Sequence, residues 1–357
     1  MMAGTVPVDS LQINILVDNS IEWMTALPPP FLNEVPQQLR NNPPIDEKLT
    51  GLPFIDLENY CCGAHGLSFL ITTTHGDQRH TILFDAGPES KSIDRNIKAL
   101  KIDPKAIERI VLSHWHADHS GGILTALQLI REAQEGVSNP LPVDLHPKRP
   151  IARGIAPAPS FKPIARLPAD PTLEEIKEAG GEPVLNAEGH AICDGQVWVS
   201  GEIQRVTDFE TGLVGGIEWV DGSWQREPGQ LVMDERYAVV DVRGKGLVIF
   251  SSCSHAGIVN VLHSASKTFP GRPIHMILGG LHLAGPELAY RIEPTVEAIA
   301  SYKPDYVVPL HCTGFDAKVK LREALGDKIV PGGVGTGVFI VAVKDDESEE
   351  NRNTRSG

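Results

Sequence analysis

His114-Trp115-His116-Ala117-Asp118-His119-Ser120-Gly121-Gly122 is the stretch that decides how this chain reads. Four potential metal ligands fall within its first six residues. Imidazole and carboxylate donors suit zinc and neighbouring transition metals. The apolar run Ile110-Val111-Leu112 before it reads as a short buried strand. After it, residues 123–133 read as a helix with Ile123, Leu124, Leu127 and Ile130 as an apolar stripe. The ligands therefore occupy a strand-to-helix turn, where short side chains converge and the helix N-terminus favours negative charge. His114 and His116, two apart in an extended segment, point the same way and can share one metal. Asp118 and His119 follow one turn later and face the same hollow, so they can hold a second. A lone histidine is ordinarily a hydrogen-bonded turn residue, but this spacing ahead of Gly-Gly is the pattern of a metal site.

The 357 residues are long enough to bury a substantial core. A net charge of −14 argues against a broad nucleic-acid surface, which needs clustered Lys and Arg. Part of that charge lies in the acidic tail 345–357, which is expected to be disordered. No segment has the length of apolar chain that spans a membrane, and Met1–Ser10 lacks the regions of a signal peptide. The five cysteines (Cys61, Cys62, Cys193, Cys253, Cys312) are odd in number and make no disulfide framework, which points to a reduced, cytoplasmic protein. Cys61, Cys62 and Cys193 have no partner motif and read as core or surface thiols.

Outward from the metal turn, residues 11–17 read as a first strand ending at Asp18-Asn19. Residues 27–52, rich in Pro, Asn and charge, lack a helix or strand pattern and read as a long surface excursion of the kind that serves as a lid. Residues 66–73 and 81–84 form a hairpin around His75-Gly76-Asp77, and 92–100 a helix. Residues 136–171 are dense in proline and read as a surface insertion shaping the substrate entrance. A helix over 173–179 follows, then short strands at Trp198, 203–206 and 217–220. A second hairpin pairs 237–242 with 246–250. Helices over 258–266, 293–301 and 318–325 then alternate with strands over 274–278, 306–310 and 338–343. Two halves, each mixing strands and helices, predict an α/β sandwich of two mixed sheets flanked by helices, one domain over 1–344.

Three later histidines follow strands: His255 after Cys253-Ser254, His282 after Gly280-Leu281, and His311 before Cys312-Thr313-Gly314. Each alone is an ordinary sheet-margin histidine. A metal pair, however, needs about six protein ligands and the turn supplies four. His255 and His311 rank first as the missing ligands, with His282 orienting substrate or supporting a ligand.

The ordered set Asp18-Asn19, His65-Gly66-Leu67-Ser68, Phe84-Asp85-Ala86-Gly87, the metal turn, Cys253-Ser254-His255, Gly280-Leu281-His282-Leu283 and His311-Cys312-Thr313-Gly314 resembles the metallo-β-lactamase superfamily. Within it, the chain looks like the branch of dihydropterin-ribofuranosyl-aminobenzene-phosphate synthase-like metal-dependent hydrolases, over roughly residues 11–343. The resemblance implies an αββα sandwich and a metal set of His114, His116, Asp118, His119, His255 and His311. Zinc suits these donors, as one or two ions, with manganese or iron(II) as alternatives. One departure stands out. Many members carry a metal-bridging Asp after the strand corresponding to 246–250, where this chain has Cys253 and His255, and Asp234-Glu235 stand where a histidine would precede it. Asp85 is expected to accept from the outer nitrogen of a ligand histidine. His65, His282 and Cys253 are expected to support the ligands or meet the substrate.

The activity expected is hydrolysis of a small cyclic ester or amide: a metal lowers the pKa of bound water toward about 7 and Asp118 handles the proton. A lyase or synthase acting on a pterin-like phosphate is the first rival and needs a basic cluster, for which Lys148, Arg149 and Arg153 are the candidates, otherwise read as solvated charges. A cysteine hydrolase using Cys253 with His255, and a non-catalytic metal-binding protein, are the others. The partner expected is a small molecule, with neither nucleic acid nor membrane involved, and a homodimer is compatible with the sequence.

Overall fold

Strands buried on both faces must be largely apolar, and Ala238–Val242, Gly246–Ser251 and Ile274–Gly280, buried at every position, are. The computed structural model describes residues 4–41, 50–52, 54–134, 136, 139–226 and 232–343. Its first half runs β1 (Ser10–Val17), β2 (Phe31–Leu32), α1 (Glu34–Asn41), β3 (Ser68–His75), β4 (Gln78–Phe84), α2 (Ser90–Ala99), β5 (Arg109–Val111), α3 (Ala117–Ser120), α4 (Ile123–Ala133), β6 (Leu141–Leu145), β7 (Arg153–Ile155), β8 (Ala165–Arg166), α5 (Leu173–Glu178) and β9 (Gly181–Leu185). The second continues with β10 (His190–Ile192), β11 (Val197–Val199), β12 (Gly216–Val220), β13 (Ser223–Arg226), β14 (Ala238–Val242), β15 (Gly246–Ser251), α6 (Ile258–Thr268), β16 (Ile274–Gly280), α7 (Ile292–Ser301), β17 (Tyr306–Leu310), α8 (Phe315–Leu325) and β18 (Gly337–Val341).

These strands form an eight-stranded sheet (β2-β18-β1-β3-β4-β5-β6-β9), a six-stranded sheet (β10-β11-β14-β15-β16-β17) and a small four-stranded sheet (β13-β12-β7-β8). Both large sheets are mixed: β4, β5, β6 and β9 are parallel, as are β15, β16 and β17, and their remaining pairings are antiparallel. Three cores stack in register with these layers. Leu11, Ile13, Phe69, Phe84, Val240, Phe250 and Leu278 fill the space between the large sheets. Leu83, Ile110 and Val143 pack under Ile93 and Ile97 of α2 and Leu127 and Ile130 of α4. Ile249, Ile277 and Val307 pack under Leu262 of α6, Ile299 of α7 and Leu321 of α8. The order is helix, sheet, sheet, helix, the αββα sandwich expected.

Two segments differ from expectation. Residues 27–52 are not structureless: Phe31 pairs with Val338 and lies edge-on to Tyr306, ring centroids 5.2 Å apart. Pro36 sits in the first turn of α1, where a missing N–H costs nothing. Residues 42–49 lie outside the described residues, as does the tail from 344. Residues 136–171 are only partly a surface insertion. The stretch Leu141–Leu145 enters the main sheet between β5 and β9, because Val143 and Leu145 bury completely, whereas β7 and β8 join the small sheet. The expected strand at 203–206 is absent, since Val206 N and Thr207 N donate to the side chain of Asn260 instead of a ladder. Strands β9, β10 and β13 were not anticipated. No helix of the described residues is long and apolar enough to cross a membrane.

Candidate metal centre

The parallel strands β4 and β5 of one sheet, and β15, β16 and β17 of the other, release their C-terminal ends along one edge of the sandwich. Such ends are where α/β folds gather their sites. Asp85 follows β4, the metal turn follows β5, and Cys253 with His255, His282 and His311 follow β15, β16 and β17.

Alternation along the extended segment sends His114 and His116 to one side and Trp115 to the other. The Trp115 indole, fully buried, donates to His146 O at 2.9 Å, and its backbone N–H donates to Asp234 Oδ2 at 2.6 Å. The double glycine is a matter of space. A Cβ on Gly121 would run into Pro88 O, and one on Gly122 into Ala86 O. The turn closes against the Asp85–Pro88 loop through Ala86 N to His119 O (2.8 Å) and Gly122 N to Gly87 O (3.1 Å).

His114 Nε2, His116 Nδ1 and His255 Nε2 face one another at 2.9, 3.1 and 3.2 Å. Burial, joined by the charges of neighbouring histidines, holds His114 well below the usual histidine pKa. Burial lowers His116 to about 3, with Arg153 adding to the effect, and burial with His282 holds His255 well below the ordinary value. Three neutral imidazoles thus present lone pairs to one point.

A second group lies alongside. Asp118 Oδ2 is 3.1 Å from His311 Nε2 and 3.6 Å from His119 Nε2, and His119 Nε2 is 3.1 Å from Cys253 Sγ. His311 Nε2 is buried, and the Asp118 carboxylate is what it faces. Burial opposes the charge on Asp118, but the charge of His119 and a bond to His311 outweigh it and hold the carboxyl well below its usual range. Burial likewise opposes protonation of His119, yet Asp118 and Asp85 raise it to about 9.

Asp85, fully buried, accepts from Ser113 N (2.7 Å), Ser113 Oγ (2.8 Å), His119 Nδ1 (2.9 Å) and Ser252 Oγ. His311 is held by Asp18 Oδ1, which accepts from its N–H at 2.8 Å, and by Asn19 Oδ1, 3.0 Å from its Nδ1. His65 stands at the mouth, exposed, with Nε2 3.8 Å from Asp118 Oδ2. The His282 ring lies 4.4 Å from that of His255, and its Nδ1 is buried without a partner. Asp85, Ser254, His282 and His311 all adopt positive φ (60°, 59°, 47° and 44°), a concentration of backbone strain typical of functional sites.

The structure thus gathers every site residue singled out in the sequence, and gives Cys253 a larger place than expected. Its sulfur lies within 4.8 Å of ligand atoms in both groups: with Asp118, His119 and His311 on one side, and with His114 and His255 on the other. Four contributors were missed. Glu235 accepts from His255 N and Ala256 N (2.7 and 2.6 Å) and is raised to about 7 by burial. Asp234 anchors Trp115 N and Arg153. Cys312 groups with Cys253 and His282. Arg153 is 4% exposed rather than solvated, donating to Trp115 O and Asp234 Oδ1. Only its place in the insertion flagged Arg153. The other three carry no local signal, because their roles depend on partners far away in sequence.

The groups open onto a cavity of about 880 Å³. Its far wall is apolar, built from Ile155, Leu167 and Pro168 of the 136–171 segment and from Leu213, Val214 and Ile217. Of the segment expected to shape a substrate entrance, this part lines the cavity.

The chain is similar to several known proteins. The family model described as "Metallo-beta-lactamase superfamily" matches residues 63–207. A Methanocaldococcus jannaschii protein named 7,8-dihydropterin-6-methyl-4-(beta-D-ribofuranosyl)-aminobenzene-5'-phosphate synthase is 32% identical over 265 residues, 72% of this chain and 84% of that protein. A second protein of the same organism, without an assigned function, is 28% identical over 76% of this chain and 91% of its own length. Among solved structures, Tm1679, titled a metal-dependent hydrolase of the beta-lactamase superfamily, superposes with a TM-score of 0.63 at 22% identity, covering 94% of this chain and all of that one.

Proposed function

Because this chain belongs to the metallo-β-lactamase superfamily, in the branch of its synthase-named relative, we propose that it is a metal-dependent hydrolase of small esters or amides, most simply a cyclic lactone or lactam. The observation that carries this reading is the pair of donor groups on the cavity floor. Ligand atoms around a tetrahedral zinc sit about 3.3 Å apart. The three nitrogens of His114, His116 and His255 are close to that spacing, and no arrangement of protons satisfies all three mutually. His311 Nε2, buried and facing the Asp118 carboxylate at 3.1 Å, supports the second group. A divalent ion therefore fits. His114, His116 and His255 would hold one and Asp118, His119 and His311 a second, with the Cys253 sulfur near ligand atoms of both groups. Buried thiols ionise readily only beside a cation, and burial, with Cys312 and the nearby carboxylates adding to it, pushes Cys253 well above its ordinary value. That shift also weighs against Cys253 as a free nucleophile.

When bound, the metals supply Lewis acidity and an acidified water. The chain does the rest. Asp118 orients the attacking water at Oδ2 and carries its proton to the leaving group. Asp85 fixes the His119 tautomer so that Nε2 faces inward. Glu235, through two backbone N–H groups, fixes the turn bearing His255. The apolar wall excludes water around the bound substrate. Asp118→Ala should abolish turnover of a lactone or lactam while leaving the thermal transition in place, and full activity in that variant would refute the mechanism.

Identity to the synthase-named relative favours a second reading, a synthase or lyase acting on a pterin-like phosphate. Against it, the basic candidates are committed elsewhere. Arg149 donates to Asp170 O and Pro171 O, Arg153 to Trp115 O and Asp234, and Lys148 faces Glu218 at 3.9 Å. Tight binding of a phosphorylated pterin-like compound, lost in Arg153→Met, would reverse the order of the two readings.

A further inference from the structure

The strands that end at the metal centre carry a second set of donor atoms at their opposite ends. His80 lies near the start of β4, five residues before Asp85, or roughly 15 Å along an extended strand. Glu108 immediately precedes β5 and bonds to β4 through Glu108 N to Thr81 O (3.0 Å). Across the seam, the β10–β11 turn of the other sheet brings Cys193 and Asp194 over them. That turn is held by Gly195 N to Ile192 O and Gln196 N to Cys193 O, and docked on the first sheet by Gln196 Nε2 to Gln78 O (3.3 Å). One ligand atom each from His80, Glu108 and Cys193 lie within 4.8 Å of one another. His80 Nδ1 is 2.6 Å from Glu108 Oε1, and its Nε2 is 3.2 Å from Asp194 Oδ2.

We propose that His80, Glu108 and Cys193 hold a divalent transition metal of the zinc class, with Asp194 or water completing the shell, as a clip that ties the two sheets together. One nitrogen, one carboxylate oxygen and one sulfur from three distant segments make a donor set of the kind zinc takes. Two carboxylates and a thiol around a single imidazole leave the cluster net negative even when His80 is protonated. The next cation in sequence, Arg109, is shared: it lies near enough to act on Cys193 but also faces Asp144 at 3.7 Å. A divalent ion resolves that imbalance, and on binding the Cys193 S–H proton leaves to solvent. The thiol is half-buried against the core between the sheets, where burial and Glu108 raise its pKa, so proton release should need the metal. Cys193 has no partner motif nearby in the chain; His80 and Glu108 stand 113 and 85 positions before it, on another sheet.

The test is equilibrium dialysis of the full chain against zinc, with elemental analysis and thermal unfolding, on wild type, Cys193→Ser and His80→Gln. Wild type should retain one ion per chain more than either variant. Zinc should raise its unfolding temperature further than theirs, and lactone or lactam turnover should be unchanged in all three. The same metal content in wild type and both variants overturns the proposal, whatever their relative stability, and leaves His80 as a histidine paired with two carboxylates. This outcome is independent of whether the main centre hydrolyses anything.

Discussion

Replacing Asp85 with Asn alters one atom in a fully buried site 2.9 Å from His119 Nδ1. The carboxylate accepts from four donors, which no amide can do. If the amide nitrogen faces His119, Nδ1 must become the acceptor, and the ring proton moves to Nε2, where it blocks the lone pair directed at Asp118 and Cys253. If the amide is turned over, its NH2 meets the Ser113 N–H, a buried donor–donor contact costing about 1–3 kcal/mol. Either way the second metal loses its ligand or the fold pays for keeping it. Loss of such an orienting partner typically lowers metal affinity about 10- to 100-fold, or about 1.4–2.8 kcal/mol. The assay is competition for metal against a chromophoric chelator, with wild type and Asp85→Asn at equal concentration. The tighter and weaker binding phases should separate in the variant, with only one displaced. Unchanged affinity for every ion, in a variant of unchanged stability, would refute the role given to Asp85 and the inward-facing Nε2 of His119.

Arg236→Met should destabilise the fold by about 1–3 kcal/mol, because the buried Asp144 carboxylate loses the donor that Arg236 Nη1 presents at 2.7 Å and keeps only His190, Arg109 and Asn186; a chemical denaturation shift under about 0.5 kcal/mol, roughly a third of the effect of one hydrogen bond, would contradict this. His190 Nε2 sits 2.8 Å from Asp144 Oδ2. Burial works against its protonation, but the bond to Asp144 outweighs it and raises its pKa above 6.5, while burial of Asp144 is offset by His190 and Arg236, so its carboxyl lies below 3.8. The raised histidine contributes fully below pH 6.5 and is lost as pH climbs through its folded value; the depressed carboxyl contributes above 3.8 and is lost as pH falls through its own. The stability gap between wild type and His190→Gln should therefore be widest between those limits and shrink in alkali, and a gap that grows with pH would contradict the pairing.

What the sequence disclosed about this protein follows the range of the forces involved. The metal turn was readable because its ligands, strand and Gly-Gly are contiguous. The glycines are forced by the approach of Pro88 O and Ala86 O, yet they announce themselves locally. The helices α2, α4 and α6 were readable because a one-sided apolar stripe needs no knowledge of its partner. The residues 141–145 misled, because proline density marked a surface run while Val143 and Leu145 answered to a sheet built from elsewhere. Phe31 and α1 were hidden by a polar composition whose few apolar positions dock on β18 and Tyr306. Asp234 acts across the sandwich on Trp115 and Arg153, Glu235 and Cys312 act on neighbouring loops of their own sheet, and Cys253 gains its central position from two groups that meet only when the sheets pack.

The most direct test of the account is metal content by elemental analysis of protein purified without chelator, coupled to lactone and lactam turnover before and after chelation. Two ions should be found at the histidine centre, a count read in Cys193→Ser so that the seam cluster does not contribute, with turnover that chelation abolishes and added metal restores. Metal-free protein that binds no zinc on addition, or turnover indifferent to complete metal removal, would contradict it.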